Sequence, residues 1–329
     1  MEKLSPRDLR RKTKQIRLAI DNTQRRIINI KCFRTTQFPY RTPSVPKGVE
    51  PLPIKIQTGS AFQTGWARRP PARYIRFLFS EFPLRPIVHF LAKPTVMGTN
   101  SLNDIPEYQP AIFVANHHSH IDTPLLITCI PHRWRKKLLV GAAADYFFSS
   151  RFSGILSALF IGAVPIERKK ISRKSSDDIA SLLDKGWNFM IFPEGGRSPD
   201  GWGQPFRGGA AYLSIRCQVP IVPIHISGTG SILRKGRALP KRSKTTVNFG
   251  SPIWPEEGES SRSLGKRIES SVAQLADEVR SDWWEAKKRH YSDTTPPLHG
   301  PEASSWRRAW SLSKNLKQSE PANRIWPPT

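Results

Sequence analysis

Ala111-Ile112-Phe113-Val114-Ala115-Asn116-His117-His118-Ser119-His120-Ile121-Asp122-Thr123-Pro124 decides how this chain is built. Its first five residues are an unbroken apolar run, the mark of a strand buried on both faces. A histidine-rich corner follows. Asp122-Thr123-Pro124 then carries a helix-start signal, a capping side chain just ahead of a proline suited to the first turn. The corner also carries chemistry. A histidine at a strand end, with a carboxylate five residues on at a helix start, can form a base–orienter pair. That geometry resembles the His–Asp part of a hydrolase triad without its serine.

Outward from this stretch the pattern repeats. Strands are predicted at 111–115, 138–142, 162–166, 188–192, 221–226 and 245–249, with helices between them at 124–130, 145–159, 172–185 and 208–217. Short apolar strands alternating with helices predict an α/β fold: a single domain with a central, largely parallel mixed sheet flanked by helices. A further amphipathic helix is expected over 263–289, with Leu264, Ile268, Val272, Leu275, Val279 and Trp283 on one stripe. Residues 74–91 form a broken apolar segment interrupted by Pro83 and Pro86, readable as an interfacial helical hairpin or as the edge of the core. The organisation expected is a basic, Pro-rich arm and linker over 1–72, the α/β domain over 73–256, the amphipathic helix within 257–291 and a disordered tail over 292–329.

Charge is distributed unevenly. The formal net charge of the 329 residues is +26, and the first 76 hold 18 basic against 4 acidic side chains, or +14. Such an arm calls for an anionic partner, a phospholipid surface or nucleic acid. Leu9, Ile16, Ile20 and Ile27 recur at helical spacing among arginines and lysines, so residues 5–30 read either as a membrane-surface helix or as a solvated arm. Seven prolines between Pro39 and Pro71 argue against regular packing over 38–72. Cys32, Cys129 and Cys217 are widely spaced and odd in number, which suits reduced buried thiols and a cytoplasmic setting. No secretory signal and no run of 18 uncharged apolar residues occurs, so any membrane contact is expected to be peripheral.

Three more stretches fall at strands in this reading. Gly162-Ala163-Val164-Pro165-Ile166-Glu167-Arg168 delivers an arginine at a strand end. Phe192-Pro193-Glu194-Gly195-Gly196-Arg197-Ser198 is a strand followed by a turn with a carboxylate, two glycines and an arginine. Val222-Pro223-Ile224 lies within the strand at 221–226. In this order and spacing, the four stretches resemble the signature blocks of the glycerolipid acyltransferase family, the PlsC-like lysophosphatidate acyltransferases. His117 and Asp122 match its His-x4-Asp block, Arg168 the arginine of the second, Glu194, Gly195 and Arg197 the third, and Val222–Ile224 the fourth. Phe206-Arg207-Gly208-Gly209-Ala210 resembles its basic-glycine stretch. Gly196 stands where threonine is common, and the resemblance covers about residues 90–255.

The resemblance implies transfer of a fatty acyl group from acyl-CoA or acyl carrier protein to a hydroxyl of a glycerol-phosphate lipid, in phospholipid biosynthesis. Lysophosphatidate going to phosphatidate is the main reading; glycerol-3-phosphate and other lysophospholipids are alternatives. His117 and Asp122 would be catalytic, as base and orienter. Arg168 and Arg197 would grip the acceptor phosphate, Gly195 would allow close approach, and Glu194 would orient an arginine or accept from the acceptor hydroxyl. No cofactor and no metal is implied beyond the thioester donor. The partners expected are that donor, a lysophospholipid and an anionic membrane surface at the cytoplasmic face, with no specific nucleic acid. Two other classes fit parts of the sequence. One is an acyltransferase-like scaffold without activity that binds anionic surfaces through its arm. The other is a zinc hydrolase built on His117, His118, His120 and Asp122.

Overall fold

The computed structural model describes residues 59–167, 173–198, 201–233, 239–300, 303–304 and 307–308. The helix expected over 5–30, the linker up to residue 58, Cys32 and Arg168 lie outside the described residues.

Among the described residues seven strands form one sheet: β1 (Pro94–Met97), β2 (Ile112–Ala115), β3 (Leu138–Ala143), β4 (Ala163–Ile166), β5 (Asn188–Ile191), β6 (Ile221–Ser227) and β7 (Thr245–Phe249). Their order is β1-β7-β6-β2-β5-β3-β4. All pairings are parallel except β6 with β7. The α/β fold with a largely parallel mixed sheet is therefore the observed one. β2 lies near the middle, between β5 and β6, and all of Ile112–Ala115 is fully buried. Ile112 and Val114 enter the core on one face while Phe113 and Ala115 enter the core on the other, so neither face tolerates a polar residue.

Among the described residues the eight longer helices are α1 (Pro70–Phe79), α2 (Arg85–Ala92), α3 (Asp122–Cys129), α4 (Arg151–Phe160), α5 (Arg173–Asp184), α6 (Gly209–Cys217), α7 (Ser261–Arg280) and α8 (Trp283–Tyr291). Side chains of α2 and α3 share one core with Phe113, Val222 and Val247; those of α5, α6 and α7 share the other with Ile112, Phe189 and Ile221. Two asparagines tie down β2. Asn188 accepts from the Ala111 N–H at 3.0 Å and donates to the Trp134 carbonyl at 2.8 Å. Asn116 donates to the Ile226 carbonyl at 2.8 Å and accepts from the Ile226 N–H at 2.7 Å. The second amide continues the β2–β6 ladder one step past the last strand residue, where the catalytic-looking corner begins.

Several expectations are corrected. Pro70 and Pro71 open α1 rather than extending a linker, because proline suits the first helical turn. Upstream of them Phe62 is buried against Phe148, with ring centroids 5.3 Å apart. The segment 74–91 is no hairpin. α1 runs into a π-helical turn, Ser80–Leu84, and on into α2; this wider turn accommodates Pro83, which has no N–H to donate. The helix expected over 145–159 is split, since Ser150 forms a capping box with Ser153 and restarts the chain as α4. Likewise Asp282 caps the Glu285 N–H at 2.9 Å and separates α8 from α7. The start of the expected disordered tail is packed: Leu298 is buried with Val272 and Ala276, and its carbonyl accepts from the Gly203 N–H at 3.0 Å. β1 was not expected at all. Cys129 and Cys217 are half-buried and reduced.

Candidate active site

The corner after β2 is folded around one carboxylate oxygen. Asp122 Oδ2 accepts from His117 Nδ1 at 2.9 Å and from the backbone N–H groups of His118 and Ser119, each at 2.7 Å. Asp122 was expected to cap the helix it opens; instead it is the first residue of α3 and its side chain reaches back into the loop. Burial would raise this carboxyl, but the His117 hydrogen bond and charge, with the nearby Thr229 hydroxyl and Ser119 N–H, hold it below the usual carboxylate range. An ionised Asp122 makes Nδ1 of His117 the protonated nitrogen, leaving Nε2 as the basic one. The His117 ring stacks on Phe192 with centroids 4.1 Å apart and a 19° tilt, which fixes its plane. His117 lines a cleft of about 370 Å³.

The turn after β5 closes on the same corner. Glu194 accepts from the His117 N–H at 2.9 Å through Oε1 and from the Gln204 N–H at 3.0 Å through Oε2. The Ser198 N–H donates to the His117 carbonyl at 2.9 Å. Both main-chain groups of His117 are thus held by the Glu194–Ser198 turn. Glu194 is 1% exposed, and among the described residues its carboxylate is engaged by these two backbone N–H groups. Burial, with the Asp122 charge adding to it, pushes its carboxyl up to about 7 despite the two backbone donors. Gly195 has φ +70°, and a Cβ there would sit 2.9 Å from the Arg207 guanidinium carbon. Arg197 and Arg207 both line the cleft.

A model of the acyltransferase family matches residues 97–227, the span that contains this corner, this turn and β6. Over that span the chain is similar to the acyltransferase family. Its curated relatives include the 1-acyl-sn-glycerol-3-phosphate acyltransferases alpha of Ovis aries and Homo sapiens, each 28% identical over 188 residues. That alignment takes in 54% of this chain and 61% and 62% of the two relatives. The mouse protein of the same name is 32% identical over 160 residues, 46% of this chain and 52% of its own length. The chain thus spans about three-fifths or less of these relatives. Among solved structures, the 1-acyl-sn-glycerophosphate acyltransferase PlsC of Thermotoga maritima shares the fold, with a TM-score of 0.53 and 23% identity over 64% of this chain and 82% of that one.

Within this span, His117, Gly195 and Arg197 reach the cleft, Glu167 lines it, and Asp122 and Glu194 are not among its lining residues. Pro223 lies within the interior strand β6, where its carbonyl accepts from the Gly250 N–H at 2.8 Å. The three histidines diverge. His117 faces Asp122, whereas His120 stacks on Tyr146 with centroids 5.9 Å apart. Among the described residues no group of three or more His, Cys, Asp or Glu side chains converges, so the zinc arrangement does not form there. Burial and the Arg197 and His117 charges lower the His120 imidazole. Arg207 and Tyr146 also line the cleft, beyond the site residues expected from the sequence. The signal for Arg207 was a basic residue just ahead of Gly208-Gly209, where α6 starts and backbone can approach a ligand. The small residues Gly141, Ala142 and Ala143, at the end of β3, form the cleft's apolar floor with Ile166 and Ile191.

Proposed function

We propose that this chain transfers a fatty acyl group from a thioester, acyl-CoA or acyl carrier protein, to the free hydroxyl of a glycerol-phosphate lipid, with lysophosphatidate as the main candidate acceptor. The observation that carries the reading is a buried, ionised Asp122 holding His117 Nδ1 at 2.9 Å, at the edge of a cleft that also presents Arg197 and Arg207. In this reading Nε2 of His117 takes the proton of the acceptor hydroxyl as its oxygen attacks the thioester carbonyl. The tetrahedral adduct then collapses, the C–S bond breaks, and the leaving thiolate takes the proton back from the imidazolium. Asp122 stabilises that imidazolium throughout. No covalent acyl-enzyme and no cofactor is required. Arg197 and Arg207, with Arg168 as a further candidate, suit the acceptor phosphate because guanidinium groups bind its oxygens in pairs. The apolar floor suits an acyl chain. Glycerol-3-phosphate and other lysophospholipids share the same chemistry.

Peripheral attachment to an anionic membrane goes with this proposal. Among the described residues no helix is long and apolar enough to cross a membrane. Along α1, the π-turn and α2, however, Tyr74, Ile75, Phe77, Phe82, Ile87 and Phe90 are exposed, an apolar stripe of the kind that lies in a lipid interface. The decisive experiment is acyl transfer from acyl-CoA to lysophosphatidate by the purified full chain, with His117→Ala as the comparison. Loss of roughly 10² to 10⁴-fold in kcat is expected for removal of a general base. Turnover preserved in the variant would overturn the assignment of His117.

A further inference from the structure

A second cavity, of about 400 Å³, lies along α1 and within the size range of small-ligand sites. Its walls include Tyr74, Phe77, Leu138 and Ile161. Four cations also line it, and among the described lining residues there is no carboxylate. Two of the four are already committed to the fold. Arg76 donates to the carbonyls of Leu159 at 2.8 Å, Ala67 at 2.8 Å and Ala158 at 2.7 Å. Arg135 pairs with Glu81 and donates to the Ile127 carbonyl.

Arg73 and Lys136 remain. Arg73 lines the cavity, with its guanidinium carbon 5.5 Å from the centre of the Trp187 ring. A cation on the wall of a largely apolar cavity favours an anion there. Lys136 is exposed and forms no ion pair among the described residues. Tyr74 and Phe77 are 64% and 40% exposed, so the cavity is continuous with the apolar stripe of α1. Ile161 lines both this cavity and the cleft that holds His117, so one side chain stands between the two.

We propose that this cavity is a binding site for an anionic single-chain amphiphile drawn from a lipid surface. The headgroup sits on Arg73 and Lys136, and the chain lies against Tyr74, Phe77 and Leu138 with its end at Ile161. The site is distinct from the acyl-transfer cleft and needs no turnover to be seen. The test is isothermal titration of the full chain with dodecyl phosphate below its micellar concentration. Inorganic phosphate and the zwitterionic dodecylphosphocholine serve as comparisons.

Wild type is expected to bind an equivalent of dodecyl phosphate that survives Arg197→Gln in the cleft. Arg73→Gln/Lys136→Gln is expected to weaken that equivalent roughly tenfold or more, the cost of losing charge-assisted contacts. Both comparison ligands should bind at least about tenfold more weakly, because one lacks the chain and the other the net charge. Lys136→Glu alone, at an exposed position with little bearing on folding, should show the same direction. Binding that is lost with Arg197→Gln, or that is unchanged by the Arg73 and Lys136 variants, would overturn the proposal. Because no acyl donor is present, the outcome does not depend on which reaction the cleft performs.

Discussion

The Glu194 carboxylate holds the backbone N–H of His117 at 2.9 Å, and with its other oxygen the N–H of Gln204 at 3.0 Å. The turn after β5 thereby positions the corner after β2 through main-chain groups. This arrangement has a pH signature. Burial raises the Glu194 carboxyl from 4.5 to about 7. Between those values the folded chain binds the proton more tightly than the unfolded chain, so this group's contribution to stability falls as pH rises through that window. Glu194→Gln removes the titration and presents an amide N–H to one of two backbone donors. The variant is expected to be destabilised by about 1–3 kcal/mol near pH 5, with the gap to wild type narrowing toward pH 8. Urea unfolding at the two pH values measures both; a gap constant from pH 5 to 8 would show that Glu194 does not titrate in this way.

Asp122 has the opposite sign. Its carboxyl is held below the usual range, so its stabilisation is complete above the unfolded pKa and is lost as pH falls through the folded one. Asp122→Asn keeps the shape but cannot accept from His117 Nδ1 and both backbone N–H groups as a carboxylate does. The expected outcome is a loss of about 3–5 kcal/mol of stability, as for breaking a buried ion pair. A fall in kcat of at least roughly 10²-fold should accompany it in protein that remains folded. Steady-state acyl-transfer kinetics alongside thermal unfolding separate the two effects.

Gly195 combines φ +70° with contact against the Arg207 side chain, where an added Cβ would lie 2.9 Å from Cζ. Gly195→Ala therefore strains the backbone by about 1–2 kcal/mol and displaces Arg207 from the cleft. If Arg207 grips the acceptor, KM for the acceptor should rise several-fold more than KM for the donor. Equal changes in the two constants would indicate general damage instead.

The apolar stripe on α1 and α2 makes a prediction independent of the chemistry. Phe82 is 70% and Ile87 57% exposed. Burial in lipid of side chains of this size is worth roughly 1.5–3 kcal/mol each. Phe82→Ser/Ile87→Ser should lower partitioning onto anionic vesicles at least about tenfold in co-sedimentation, with turnover in detergent micelles close to wild type. Undiminished vesicle binding would move the membrane contact elsewhere, the first candidates being the exposed Trp283 and Trp284 of α8.

The sequence by itself determined the sheet-and-helix alternation, because strands buried on both faces read as unbroken apolar runs such as Ala111–Ala115. It also determined the His117–Asp122 pair, since a five-residue offset across a strand end and helix start is a local relationship. Local signals failed where burial and long-range contacts ruled. β1 is a four-residue, largely exposed strand with no apolar run to announce it. Pro83 read as a break, yet the chain passes through it as a π-turn between α1 and α2. Only the tertiary structure decided what Glu194 touches. Its partners, the N–H groups of His117 and Gln204, lie 77 and 10 residues away and belong to the main chain, which carries no residue-specific trace in the sequence. A carboxylate beside two glycines and an arginine reads as a ligand contact. Packing of β5 against β2 turned it inward, because a buried main-chain N–H must find an acceptor and this side chain was the one in reach.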